Sequence, residues 1–312
     1  MHAASTIRSE AILLRPQPPF DFALTIDAAR FCAVRGARHE NAYRKVLQTD
    51  AGLALVELRD AGTTRQPLLE ARVLAANHEA SPPVIEERLN RMLNLSFDLE
   101  PFYAHAQTDP VLLATVESLR GLRMLTADSL YEALVTTIIE QQITLRMAQA
   151  AERWLLAWAG ESIEYEDQTY YGFPSPARLA AAAADDLKLL KITGQRIARI
   201  IEISRRVASG DLDLEGLRGQ PPEAVYAALR SIKGVGHWTA AWTITRGLGY
   251  YANFGSGDVA LRAAVNAYYF GQPGNADSAV VDSLLARYHP FDGIAAYFTL
   301  TRWALEKYTA IG

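Results

Sequence analysis

Asp258 is the single carboxylate in the stretch Leu229–Leu261, and it stands twenty residues beyond Trp238. A lone carboxylate at a fixed place can stabilise a developing positive charge and orient an attacking water. Gly255-Ser256-Gly257 precedes it, and Val259–Phe270 reads as a helix with Leu261, Val265 and Tyr268/Tyr269 turned inward. Asp258 thus also holds an N-cap position, where a helix start stabilises an anion. Capping and catalysis are compatible roles for one side chain.

Between Trp238 and the preceding helix lies a tight Gly-Val-Gly turn. The first helical segment enters through Pro221-Pro222, a helix-initiating pair, and carries Val225, Leu229 and Ile232 on one face. Gly234 and Gly236 free the backbone for conformations that Cβ-bearing residues resist. A second segment starts at His237 and repeats Trp238, Ala241, Trp242 and Leu248 at helical spacing. A glycine turn feeding a helix start aims unpaired N–H groups outward, an arrangement that suits a phosphate and ignores base sequence. Trp238 and Trp242, four apart on one face, suit either core packing or an aromatic pocket. Upstream, Glu140-Gln141-Gln142-Ile143-Thr144 follows an amphipathic helix built on Leu130, Leu134 and Ile138. A Gln pair there could simply cap backbone at the helix end.

These elements together resemble the helix-hairpin-helix DNA glycosylase superfamily and, within it, the bacterial 3-methyladenine glycosylases of the AlkA type. The resemblance covers most of the chain, strongly from about Leu130 to Ala267. It implies that Asp258 is catalytic, stabilising the oxocarbenium character that builds on the sugar as an N-glycosidic bond breaks. It further implies that Trp238 and Trp242 line the base pocket. Gln141, Gln142, Gly234, Val235, Gly236, His237 and Thr239 would contact DNA, with Gln142 filling the space left by a flipped nucleotide. Relatives that cut the backbone carry a lysine nucleophile where Trp238 stands, and an indole offers no amine. The aromatic pair that relatives take from the last helix is shifted or altered here, where Tyr297–Trp303 occupies the matching region, which leaves open whether Trp303 is a pocket wall.

The implied reaction is hydrolytic release of an alkylated purine from duplex DNA by a monofunctional enzyme. A glycosylase for deaminated or oxidised bases, or a hairpin module that binds DNA without chemistry, are the alternatives. No cofactor is implied beyond a monovalent cation held by hairpin carbonyls. No metal site is expected, since His237 is the only histidine in the hairpin and has no ligand cluster around it. Some relatives carry a four-cysteine iron–sulfur cluster, which the single Cys32 excludes together with any internal disulfide. Cys32 reads as a small core residue.

With 312 residues, the chain has room for two domains. Its 50% hydrophobic and 21% charged residues give an ordinary globular balance. No apolar run approaches the ~20 residues that span a bilayer. Nor does the N-terminus read as a signal peptide, so a cytoplasmic monomer is expected. The net charge of −4 argues against a non-specific DNA coat but permits a local basic face. Lys188, Lys191, Arg196, Arg199, Arg205 and Arg206 form such a run, which could equally be a solvated helix face.

The expected fold is mainly α with an N-terminal α+β domain over residues 1–84 and a helical glycosylase domain over 85–312, the hairpin lying at about 222–248. Phe20–Ile26, Tyr43–Leu47, Ala54–Leu58 and Leu68–Leu74 read as strands of an antiparallel sheet, with a helix at Asp27–Arg35 and a turn at Asp50-Ala51-Gly52. Helices are expected at Val84–Leu93, Pro110–Leu119, Ser129–Ile143, Arg146–Ala159, Ala177–Ala184, Asp186–Ile192, Gln195–Ser209, Asp277–Ala286 and Asp292–Lys307.

Overall fold

The structure, a computed structural model, describes residues 5–6, 10–31, 36–39, 41–49, 51–78 and 81–309. Cys32 and Asp50 lie outside the described residues, as does the end of the expected helix at Arg35. The N-terminal part runs β1 (Ser5–Thr6), β2 (Ile12–Leu14), α1 (Phe22–Ala29), β3 (Ala37–His39), β4 (Ala42–Thr49), β5 (Gly52–Asp60) and β6 (Leu69–Ala76). The sheet is antiparallel in the order β1-β6-β5-β4-β3, with β2 also on β6. Tyr43 pairs with Leu58 and Leu58 with Ala71, so apolar residues share a face across three strands.

One expected strand is a helix. Asp21 accepts the Leu24 N–H at 2.9 Å, and this cap turns Phe22–Ala29 into α1. Phe22, Ile26 and Ala29 then fall on one buried face, a spacing that alternation cannot use.

The helical part comprises α2 (Pro82–Met92), α3 (Glu100–Ala106), α4 (Pro110–Ser118), α5 (Leu130–Glu140), α6 (Leu145–Ala159), α7 (Pro176–Ala180), α8 (Gly194–Ser209), α9 (Pro222–Ser231), α10 (His237–Leu248), α11 (Val259–Phe270), α12 (Ser278–Ala286) and α13 (Asp292–Thr309). Helix α7 stops well before Ala184, and Ala184–Leu190 is a tighter 3-10 stretch ended by Lys191 at φ +55°. A hairpin, β7 (Ser162–Tyr165) with β8 (Gln168–Tyr171), was not expected from the sequence. Glu166 and Asp167, both at positive φ, make its two-residue turn. Its Ile163 and Tyr170 pack on Val46, Leu53 and Leu55 of the main sheet.

Helix α5 is the central strut. Every residue from 130 to 139 is buried, and the polar ones are satisfied in place, Glu132 by Lys45 (3.3 Å) and Thr136 and Thr137 by carbonyls of their own helix. It meets the sheet core through Ala133 and the helical core through Leu134 and Ile138. Helix α10 packs along it so closely that a Cβ on Gly247 would lie 2.7 Å from Leu130 Cδ2 and 3.2 Å from Ala133 Cβ. A Gly247→Leu variant is therefore expected to lose about 1–3 kcal/mol of stability through overpacking, read as a lower denaturant midpoint. An unchanged midpoint would mean that the two helices do not pack this closely.

Candidate active site

The hairpin forms because helix α9 breaks at Ile232, whose backbone is extended (ψ 124°). Gly234 follows at φ +80°, where a Cβ would also strike the Arg199 guanidinium, so this position requires glycine. Val235 turns its side chain into the core and its N–H to the Ile232 carbonyl (3.0 Å), which leaves neither for a ligand. Gly236 is the extended N-cap of α10, and the first rung of that helix is Ala240 N–H to Gly236 C=O (3.0 Å). The N–H groups of Gly236, His237, Trp238 and Thr239 precede the helical ladder and are the ones free to meet a phosphate. His237 is exposed, with Nδ1 2.9 Å from the Tyr226 hydroxyl. The Val235 carbonyl already accepts Arg230 Nη1 at 3.0 Å, so a monovalent cation at that oxygen would share it with a guanidinium.

Asp258 is the N-cap of α11 and is gripped from two helices. Its Oδ1 accepts the Ala260 and Leu261 N–H groups, each at 3.0 Å. Oδ2 accepts the indole N–H of Trp238 at 2.9 Å and that of Trp242 at 3.4 Å. Four N–H donors therefore converge on one partly buried carboxylate. The two tryptophans differ in everything else. Trp238 is half-buried and lines the cleft in front of Asp258. Trp242 is 3% exposed, its ring stacked on Phe254 (4.4 Å between centroids) beneath the Arg246 guanidinium (4.5 Å). Its face is thus not available as a pocket wall, contrary to expectation, and it reaches the site only through its N–H. Phe254, from the loop after α10, covers the ring, and helical spacing could not reveal that cover.

The cleft has a volume of about 1070 Å³. Its walls come from the α5–α6 loop, the start of α8, the hairpin, α11 and the end of α13. Gln142 stands exposed on its rim at φ +54°. Gln141 also borders the cleft, but its side chain points into the protein and donates to the buried Thr239 hydroxyl (2.8 Å). Of the basic run, Arg196 and Arg199 reach the cleft. Lys188 pairs with Asp185 (2.9 Å), and Arg205 donates to the Ala180 carbonyl (3.2 Å). Burial pulls the Arg196 guanidinium below the ordinary arginine value.

Trp303 does line the cleft, with the Lys307 ammonium 4.3 Å from its ring centroid. The sequence had left its place open. Lys307 is the one lysine among the described residues lining the cleft. A second cavity of about 520 Å³ lies at the opposite ends of α5 and α8, where Lys45–Glu132 (3.3 Å) and Arg88–Asp128 (2.9 Å) pair its charges. Chemically, the main cleft offers a fixed anion, one indole face beside it, and a row of outward N–H groups.

No protein-family model matches the chain. A DNA-3-methyladenine glycosylase of Bacillus subtilis (strain 168) is 33% identical over 177 residues, 57% of this chain and 58% of that relative. The match therefore spans less than two thirds of that relative's length. Among solved structures, the 3-methyladenine DNA glycosylase from Archaeoglobus fulgidus aligns with a TM-score of 0.78 at 21% identity, covering 94% of this chain and 98% of its own. The 8-oxoguanine glycosylase/lyase of Clostridium acetobutylicum aligns at 0.73 with 18% identity, covering 96% and 98%. Such identities speak to the fold and leave function to the site. The chain has the fold of the helix-hairpin-helix DNA glycosylase superfamily and resembles its 3-methyladenine, AlkA-type members in sequence.

Proposed function

We propose that this protein is a monofunctional DNA glycosylase of base excision repair that releases alkylated purines from duplex DNA by hydrolysis. The observation that carries the reading is the Asp258 carboxylate, held by four N–H donors at the wall of an aromatic-sided cleft. The outward N–H groups at the start of α10 bind a backbone phosphate and fix the register. Gln142, exposed on the rim, fills the gap in the stack while the damaged nucleotide turns into the cleft. Trp238 offers its face to the base. As the base departs, positive charge builds on the sugar, and Asp258 stabilises it. Four N–H donors occupy the carboxylate's lone-pair directions, so it acts as a fixed charge.

An alkylated purine suits this site for two reasons. Its cationic ring is attracted to an indole face, and its charge already weakens the glycosidic bond. One carboxylate can then suffice without a built-in acid for the leaving group. The fold likeness to an 8-oxoguanine glycosylase/lyase keeps a second reading, an oxidised base, as the alternative outcome of the test.

Asp258→Asn is expected to bind duplex DNA like the parent and to lose excision by on the order of 10²-fold or more. Excision close to the parent rate would remove Asp258 from the chemistry.

Borohydride added during turnover is expected to trap no protein–DNA adduct, because a Schiff base needs an amine and Trp238 stands at the lyase position. A strong trapped band would reassign the reaction to a lyase, with Lys307 the first residue to replace.

On otherwise identical duplexes, 3-methyladenine or 7-methylguanine is expected to leave faster than 8-oxoguanine. Equal or faster release of 8-oxoguanine would favour the second reading.

A further inference from the structure

The end of α5 is tied down on three sides. Arg196, in the first turn of α8, is 8% exposed. Its guanidinium donates to the Ile139 carbonyl at 3.3 Å and to the Gln141 carbonyl, while its Nε meets the Thr193 hydroxyl at 3.3 Å. From α10, Thr239 accepts the Gln141 side-chain amide at 2.8 Å, and Arg246 forms a buried ion pair with Glu140. The very next residue is Gln142, exposed and in the left-handed region at φ +54°. A non-glycine residue persists there only where its surroundings over-determine the backbone.

We propose that Arg196 is a positioning residue for Gln142, setting the backbone that presents this side chain to DNA. The proposal rests on the reading of Gln142 as the group that fills the gap. The last carbonyls of a helix have no intrahelical donor and are free to be oriented by a side chain. Both carbonyls meet the one nitrogen Nη1 while the Thr193 hydroxyl holds Nε, so the planar group is anchored at a second edge and keeps the two carbonyls in a fixed relation. Arg196 thus belongs to the basic run in sequence but works inward, whereas Arg199, about one turn on, reaches the cleft beside Gly234 of the hairpin. The ties to Thr239 and Arg246 fasten the same loop to α10, whose first turn binds the backbone. One rigid unit therefore carries both the phosphate contact and the gap-filling side chain.

The test compares Arg196→Met, Arg196→Lys and Gln142→Ala with the parent. Each is mixed with a 3-methyladenine duplex carrying 2-aminopurine beside the lesion, whose fluorescence rises on unstacking, and with an undamaged duplex. Arg196→Met is expected to reduce the fluorescence rise and to slow single-turnover excision roughly tenfold, the scale of one charge-assisted hydrogen bond. Its affinity for undamaged DNA is expected to stay at the parent value. Arg196→Lys is expected to restore part of both signals, and it carries the test alone if the Met variant does not fold. A parental fluorescence rise and rate in the Arg196 variants, with Gln142→Ala impaired, would overturn the positioning role. Equal loss of affinity for undamaged DNA would also overturn it and make Arg196 a phosphate contact. Parental behaviour of Gln142→Ala would overturn the gap-filling reading itself, and the proposal with it.

Discussion

The convergence of four N–H groups on the Asp258 carboxylate is the constraint on which the rest of the site depends. Two donors are backbone amides of α11 and two are indoles of α10, so the helices must hold one relative placement for the set to close. Each layer behind them serves that placement. Phe254 packs under Trp242 and keeps its N–H aimed at Oδ2. Gly247 lets α10 lie against α5, and α5 is buried on every side between the sheet and the helical core. The hydrogen bonds are individually worth about 1 kcal/mol, or more to a charged acceptor, and the burial that orients them is far larger. Packing sets the geometry, and the geometry sets the electrostatics.

The same logic explains how an acidic protein can address DNA. The net charge of −4 is a sum over the whole chain, while the cleft gathers Arg199, Lys307 and a helix start on its walls. Arg196 is diverted to the protein's own carbonyls. Lys307 lies over Trp303 and gives that wall a cation of its own, whereas Trp238 stands next to the Asp258 carboxylate. Cations thus stand on two sides of the cleft, Lys307 over Trp303 on α13 and Arg199 against Gly234 of the hairpin.

Much of this was legible in the sequence, and the failures have physical causes. The hairpin, α11 and the cap at Asp258 were readable because glycines, prolines and a capping carboxylate act through their own backbone. Spacing left Trp242 open between core and pocket and the resemblance put it in the pocket, while its burial is decided by Phe254, twelve residues on and in a loop. Phe20–Ile26 was misread because its aromatic and β-branched residues suit a strand, yet the Asp21 cap overrides them. The β7–β8 hairpin escaped because Glu166-Asp167 lacks the glycine that usually marks such a turn. Residue type and spacing treat Gln141 and Gln142 alike, and only the resemblance singled out Gln142. Only the positive φ at Gln142 sends one side chain out and leaves the other inside.

A double-mutant cycle tests the central claim most directly, namely that Asp258 works as a charge oriented by indole donors. Single-turnover release of 3-methyladenine would be measured for the parent, Trp238→Phe, Asp258→Asn and the double variant. The phenyl ring keeps an aromatic face but lacks the N–H that meets Oδ2 at 2.9 Å. If Trp238 acts through Asp258, Trp238→Phe slows release roughly tenfold in the parent and adds little once Asp258 is gone. Fully additive losses, with the double variant slower by the product of the two single effects, would contradict the claim and make Trp238 and Asp258 independent.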